Sequence, residues 1–181
     1  MSIIHEAAAE LAAVADRIDD AALAPAVAAI SGADRIMLYG CGREGLMMRA
    51  LAMRLHHLGL RVCMQGDMNA FPLGTGDLFL CAAGPGELPT ASALCRVARE
   101  AGARVMVVTA EPDGATSALA DELLVIPAQT MARDVGSDAV LPMGSLFEGA
   151  MFLVFEALVL RLRESLGESA QSMRARHTNM E

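Results

Sequence analysis

From Ser31-Gly32 onward, short apolar runs alternate with longer stretches whose apolar residues recur every three or four positions. Arg35-Ile36-Met37-Leu38-Tyr39 reads as a buried strand, ended by Gly40-Cys41-Gly42. Leu46, Met47, Ala50, Leu51 and Leu55 then keep helical spacing up to Gly59. The same reading predicts strands over 61–65, 77–82, 104–109 and 122–126, a helix over 89–101 and a short helix over 115–120. The first thirty residues are Ala-rich with scattered charges and carry helical character only. Strands alternating with helices are the βαβ pattern of a parallel sheet covered on both faces. The expected fold is therefore α/β: a three-layer αβα sandwich around a five-stranded parallel sheet, with long N-terminal and C-terminal helices, in one domain over 1–181.

A last helix is predicted over 144–166. Its apolar positions, from Leu146 and Phe147 to Val159 and Leu162, cover more than one stripe. Such a helix is buried on several sides, and a subunit interface is the simplest expected sink. Residues 143–160 are apolar enough to raise the question of a membrane span. Glu148 and Glu156 lie within them, and a carboxylate at the bilayer centre costs about 2.5–3.5 kcal/mol. A buried helix is expected instead.

Composition narrows the function. Hydrophobic residues make up 54% and charged residues 20%, enough for a full core. The net charge of −8 argues against nucleic acid and against an anionic membrane surface. Tyr39 is the sole tyrosine and Trp is absent, so stacking platforms for bases are not expected. Cys41, Cys63, Cys81 and Cys95 have no metal-ligand spacing, which fits a reducing cytoplasm without disulfides. The N-terminus has no basic region or clean apolar core of the signal-peptide kind.

In open parallel sheets, ligands bind beyond the carboxyl ends of the strands. Two glycine-rich loops fall there, Gly40-Cys41-Gly42-Arg43-Glu44-Gly45 and Ala83-Gly84-Pro85-Gly86-Glu87. Both precede helices, whose first amides suit anions. The first loop has the G-x-G-x-x-G spacing of dinucleotide-binding turns. The acidic residue expected for the ribose is Asp67, which falls late, and that reading leaves the second loop without a duty. Tight turns that hold no ligand account for the glycines as well. His56 and His57 are neighbours on a helix and point apart, so packing or surface roles are expected and no metal is.

Several motifs resemble the 6-phospho-3-hexuloisomerase family, of the sugar isomerase domain. They are Gly40 to Leu46, Ala52 to Gly59, Gly76-Asp77-Leu78, Pro142-Met143-Gly144-Ser145-Leu146-Phe147-Glu148, and Arg176-His177-Thr178-Asn179-Met180-Glu181. The resemblance implies a cofactor-free aldose–ketose type isomerase that converts a ketohexose phosphate to fructose 6-phosphate and assembles as a tetramer. It assigns catalysis to Glu148 and His177. Substrate contacts are expected from Gly40, Gly42, Arg43, Glu44, Gly84, Gly86, Glu87 and Arg54. The chemistry is coherent: an enediol route needs a base that reaches carbon and a partner that shuttles protons between oxygens.

The departures from that family cluster at one place. Its phosphate loop typically reads Ser-Gly-Ser-Gly-Glu-Thr, where this chain has Ala83-Gly84-Pro85-Gly86-Glu87-Leu88. All three hydroxyls are gone. A serine usually follows the arginine of the first loop, and here Glu44 does, paired in expectation with Arg43. Hydrogen bonds to a charged group contribute about 1.5–3 kcal/mol each, so losing three costs ~5 kcal/mol of phosphate affinity. Two further readings follow: an isomerase of an unphosphorylated or differently charged sugar, and a noncatalytic sugar-binding protein on the same scaffold.

Overall fold

The computed structural model describes residues 2–134 and 138–180. Five strands, β1 (Ile36–Tyr39), β2 (Val62–Met64), β3 (Leu78–Ala82), β4 (Arg104–Thr109) and β5 (Glu122–Val125), pair in parallel in the order β2-β1-β3-β4-β5. That is the flavodoxin-like order, and the expected sandwich is what the strands and helices form. Helices α1 (Ile3–Ala15), α2 (Ala24–Ser31), α3 (Gly42–His57), α4 (Pro89–Glu100), α5 (Ser145–Ser165) and α6 (Ala170–Ala175) cover the sheet.

Alternation along the strands divides the core in two. Ile36, Leu38, Leu78, Leu80 and Ala82 pack with the helices α2, α3 and α5 on one face. Phe79, Cys81, Ala83, Val105 and Val107 pack against Ala91, Cys95 and Ala98 of α4 on the other. Both faces of β3 are buried, which is why its five residues read as an uninterrupted apolar run.

The short helix expected over 115–120 is present as a 3₁₀ turn, Ser117–Leu119. Short runs of this kind fall below the length at which helix propagation outweighs nucleation. The broad apolar surface of α5 needs no neighbouring subunit. Its nine buried residues lie against α1, α2 and α3 of the same chain, and Phe152, Leu153 and Leu160 are what it leaves exposed. No described helix is long and apolar enough to cross a membrane.

The direction of crossover reverses at β1 and β3. Tyr39 and Cys81 stand side by side at the carboxyl ends of those strands. The two glycine-rich loops leave from there and diverge, opening a crevice between them.

Candidate functional site

The first loop can turn tightly into α3 because of its glycines. A Cβ on Gly45 would stand 2.5 Å from the Gly40 carbonyl oxygen, so the helix starts directly against the strand end. That packing directs Arg43 and Glu44 into a cleft of about 500 Å3, a size suited to a small ligand. Pro85 and Leu88 of the second loop form one wall, and Thr130 and Met131 another. The first turn of α5 with the Pro142-Met143-Gly144 turn before it closes the third side.

Arg43 organises the floor. Its Nε lies 2.8 Å from Glu148 Oε2, while its two terminal nitrogens donate to Ser145 Oγ at 3.1 Å and the Met143 carbonyl at 2.8 Å. Met143 itself holds a left-handed backbone (φ 54°), pinned on its other side by an amide donated to Asp134 at 2.9 Å. Strained residues of this kind persist where the surroundings over-determine them. Glu148 is thus locked in place at the start of α5. Burial raises its pKa above the ordinary carboxylate value, against the pull of Arg43.

Glu44 does not pair with Arg43 as expected. It accepts the Gly84 amide at 3.1 Å, across to the second loop. Only a glycine fits there, since a Cβ on residue 84 would stand 2.7 Å from both Glu44 Oε1 and Phe147 Cε1. Burial lifts the Glu44 pKa to about 7; the Gly84 amide works against this and the charge of Glu148 adds to it.

The raised pKa has a consequence for stability. A carboxyl group that binds its proton more tightly when folded stabilises the fold fully below about pH 4.5, and that contribution is lost as pH rises through about 7. Burial, the Gly84 amide, Glu148 and the more distant Cys81 thiol are the surroundings that act on it. Glu44→Gln keeps an acceptor for Gly84 and removes the titration. Between pH ~5 and ~8 the wild type should lose up to roughly 3 kcal/mol relative to this variant. Thermal melts of both proteins across that range measure it, and parallel profiles would dismiss the assignment.

The remaining expected site residues scatter. Gly42 lines the cleft, while Gly40 serves the tight turn. Gly86 packs against Glu111 and Gly114, and Glu87 is exposed outside the cleft. Arg54 makes a two-pronged pair with Glu156, at 3.0 and 3.1 Å, farther along α3 and α5. Asp67 accepts the Met64 amide through Oδ2 and caps its own turn, with Oδ1 3.7 Å from Arg49.

His177 sits at the far end of α3. Its ring stacks on the buried His57 at 5.1 Å between centroids. Arg176 fastens this tail by donating to the His57 carbonyl at 2.8 Å and gripping Glu168 with two hydrogen bonds. Arg43 and His57 are fourteen positions apart on α3, which at about 1.5 Å per residue is ~20 Å. One chain therefore does not bring Glu148 and His177 together. The last residue of the terminal motif, Glu181, lies outside the described residues.

Sequence reading did not single out Thr130 or Phe147 as site residues. Phe147 and Ser145 were visible within the Pro142-to-Glu148 motif, whereas Thr130 follows a strand without any motif around it.

No family model matches the chain. It is 35% identical over 182 residues to the 3-hexulose-6-phosphate isomerase of Mycobacterium gastri, covering 100% of this chain and 89% of that protein. The chain belongs to the 3-hexulose-6-phosphate isomerase family. A second relative of that name, from Bacillus subtilis, is 32% identical over 153 residues, 84% of this chain and 83% of its own.

Solved structures agree on the fold of this family member. A hypothetical protein from Methanococcus jannaschii, whose crystal structure was taken to infer a 3-hexulose-6-phosphate isomerase function, superposes with a TM-score of 0.84. It shares 20% sequence identity, with 98% of each chain covered. The sugar isomerase domain of a Sphaerobacter thermophilus transcription factor gives 0.74 at 19% identity, over 96% of this chain and 93% of that one.

Proposed function

We propose that this chain is an isomerase that moves a carbonyl between adjacent carbons of a ketohexose. The reference couple is 3-hexulose 6-phosphate and fructose 6-phosphate, after the names of its relatives. The observation that carries the proposal is Glu148: a desolvated carboxylate on the first turn of α5, held by Arg43 in the switch-point cleft. In the forward direction Glu148 takes the proton from the hydroxyl-bearing carbon beside the ketone, giving an enediol. It returns that proton to the former carbonyl carbon. The hydroxyl proton crosses from one oxygen to the other, and no oxidant or cofactor enters the balance. Arg43 positions the base. His177 is proposed as the group that carries the oxygen-to-oxygen proton, supplied by a second copy of the chain.

The proposal includes a single catalytic domain, a homotetramer and a cytoplasmic location, in keeping with four free cysteines. The deciding experiment incubates the full chain in deuterated water with D-arabino-3-hexulose, free and as its 6-phosphate. Expected is formation of the matching 2-ketose with solvent deuterium on the carbon that loses its carbonyl. Absence of turnover on both sugars from folded protein would overturn the reading.

A further inference from the structure

The charge balance of the cleft is unusual for a site that is to receive an anion. Its lining contains two carboxylates, Glu44 and Glu148, and one guanidinium, Arg43. Arg43 already serves Glu148, Ser145 and the Met143 carbonyl. The second loop has few donors to give. The Ala83 amide donates to Val108, that of Gly86 to Ala83, and that of Leu88 to the Thr116 hydroxyl. Pro85 has no N–H. The Gly84 amide is taken by Glu44, and the next residue with an amide to offer, Glu87, carries its own carboxylate.

The same walls do present neutral partners. Thr130 is 3% exposed, lines the cleft, and its hydroxyl has no hydrogen-bond partner among the described residues. A buried hydroxyl left without a partner is costly and marks a place where a ligand or water completes the bonding. Ser145 adds a second hydroxyl at the cleft.

We infer that Glu44 is a specificity-determining residue: its carboxylate holds the loop amide where an anionic end of a sugar would bind, so that the cleft prefers a sugar with a free hydroxyl at that end over its phosphate ester. Glu44 accepts a hydrogen bond from such a hydroxyl and, ionised above about pH 7, repels a phosphate. The Thr130 hydroxyl completes the contact. This inference rests on the isomerase reading for its substrate but not for its binding test.

Two variants separate charge from shape. Glu44→Gln keeps the size and the acceptor, and Glu44→Ser removes the side chain from the Gly84 amide. Inorganic phosphate is titrated calorimetrically at about pH 8, where Glu44 is ionised, into the full-length wild type and both variants, with circular dichroism to confirm folding. Expected is at least a tenfold gain in phosphate affinity for Glu44→Ser and a smaller gain for Glu44→Gln. On the free and phosphorylated 3-hexulose, the kcat/KM ratio should favour the free sugar in the wild type and swing at least tenfold toward the phosphate ester in Glu44→Ser. Thr130→Val should raise KM for the free sugar and leave phosphate binding unchanged. Unchanged phosphate affinity and an unchanged ratio in both folded variants would overturn the inference while leaving the isomerase intact. Turnover of neither sugar by any form removes the isomerase reading, and the phosphate titration then decides the inference by itself.

Discussion

Glu148→Gln is expected to lower kcat by roughly two to four orders of magnitude, the range that a positioned general base contributes. The amide keeps the volume of the carboxylate and an oxygen for Arg43 Nε, so the geometry at the start of α5 survives. It has no lone pair basic enough to take a proton from carbon. Folding should hold, because burial already disfavours the charge that the substitution removes. Arg43 retains the Met143 carbonyl and Ser145 as partners. KM should change little, since the loss falls on a step that binding does not measure. The wild-type rate should also fall with decreasing pH along a limb that begins above the ordinary carboxylate range, as protonation removes the base. Steady-state kinetics together with a thermal melt test this. A folded variant that keeps more than about a tenth of wild-type kcat is incompatible with Glu148 as the base.

The sheet was legible because its strands obey a simple rule. β3 and β4, covered on both faces, appear as continuous apolar runs bounded by glycine or acidic turns, and their predicted bounds fall within one residue of those observed. Strand order was not legible in the same way, since periodicity reports burial and not neighbours; the switch point came from the α/β rule for parallel sheets. The last turns of the chain were harder. Helix α6 is six residues long, held by a Ser169–Ser172 capping box, by the grip of Arg176 on Glu168 and by one buried apolar side chain, Met173, which makes no stripe to read.

At the site, the motif residues Arg43 and Glu148 proved to be partners, although 105 positions separate them in the sequence. Glu44 was visible as an anomaly, but its bond was not. A glutamate in the first turn of a helix has an ordinary reason to be there. Only the packing of Gly84 against it shows that the carboxylate reaches the other loop. Arg54 misled for the opposite reason: a basic residue on the right helix faces Glu156 two turns beyond the cleft.

His177 poses the remaining question, and mixing experiments answer it. Within one chain it stands ~20 Å from the cleft along α3, stacked on His57 and anchored through Arg176. If it serves catalysis, it serves the cleft of another copy across a symmetric interface, where each subunit lends its tail to its neighbour. His177→Ala should then cost roughly a hundredfold in kcat, as loss of a proton shuttle does. Its KM and melting temperature should move little, because the His177 ring is the exposed outer member of its stack with the buried His57. Co-expression of Glu148→Gln with His177→Ala makes the decisive comparison. In a mixed pair one cleft receives both defects and the other receives neither, so random pairing restores about a quarter of wild-type activity. Recovery at that level requires the two residues to meet across subunits. Two inactive variants that assemble together and recover nothing would exclude His177 as a group lent to a neighbouring cleft. A His177→Ala protein that keeps its kcat but melts earlier would assign the ring to holding α3 and the tail together.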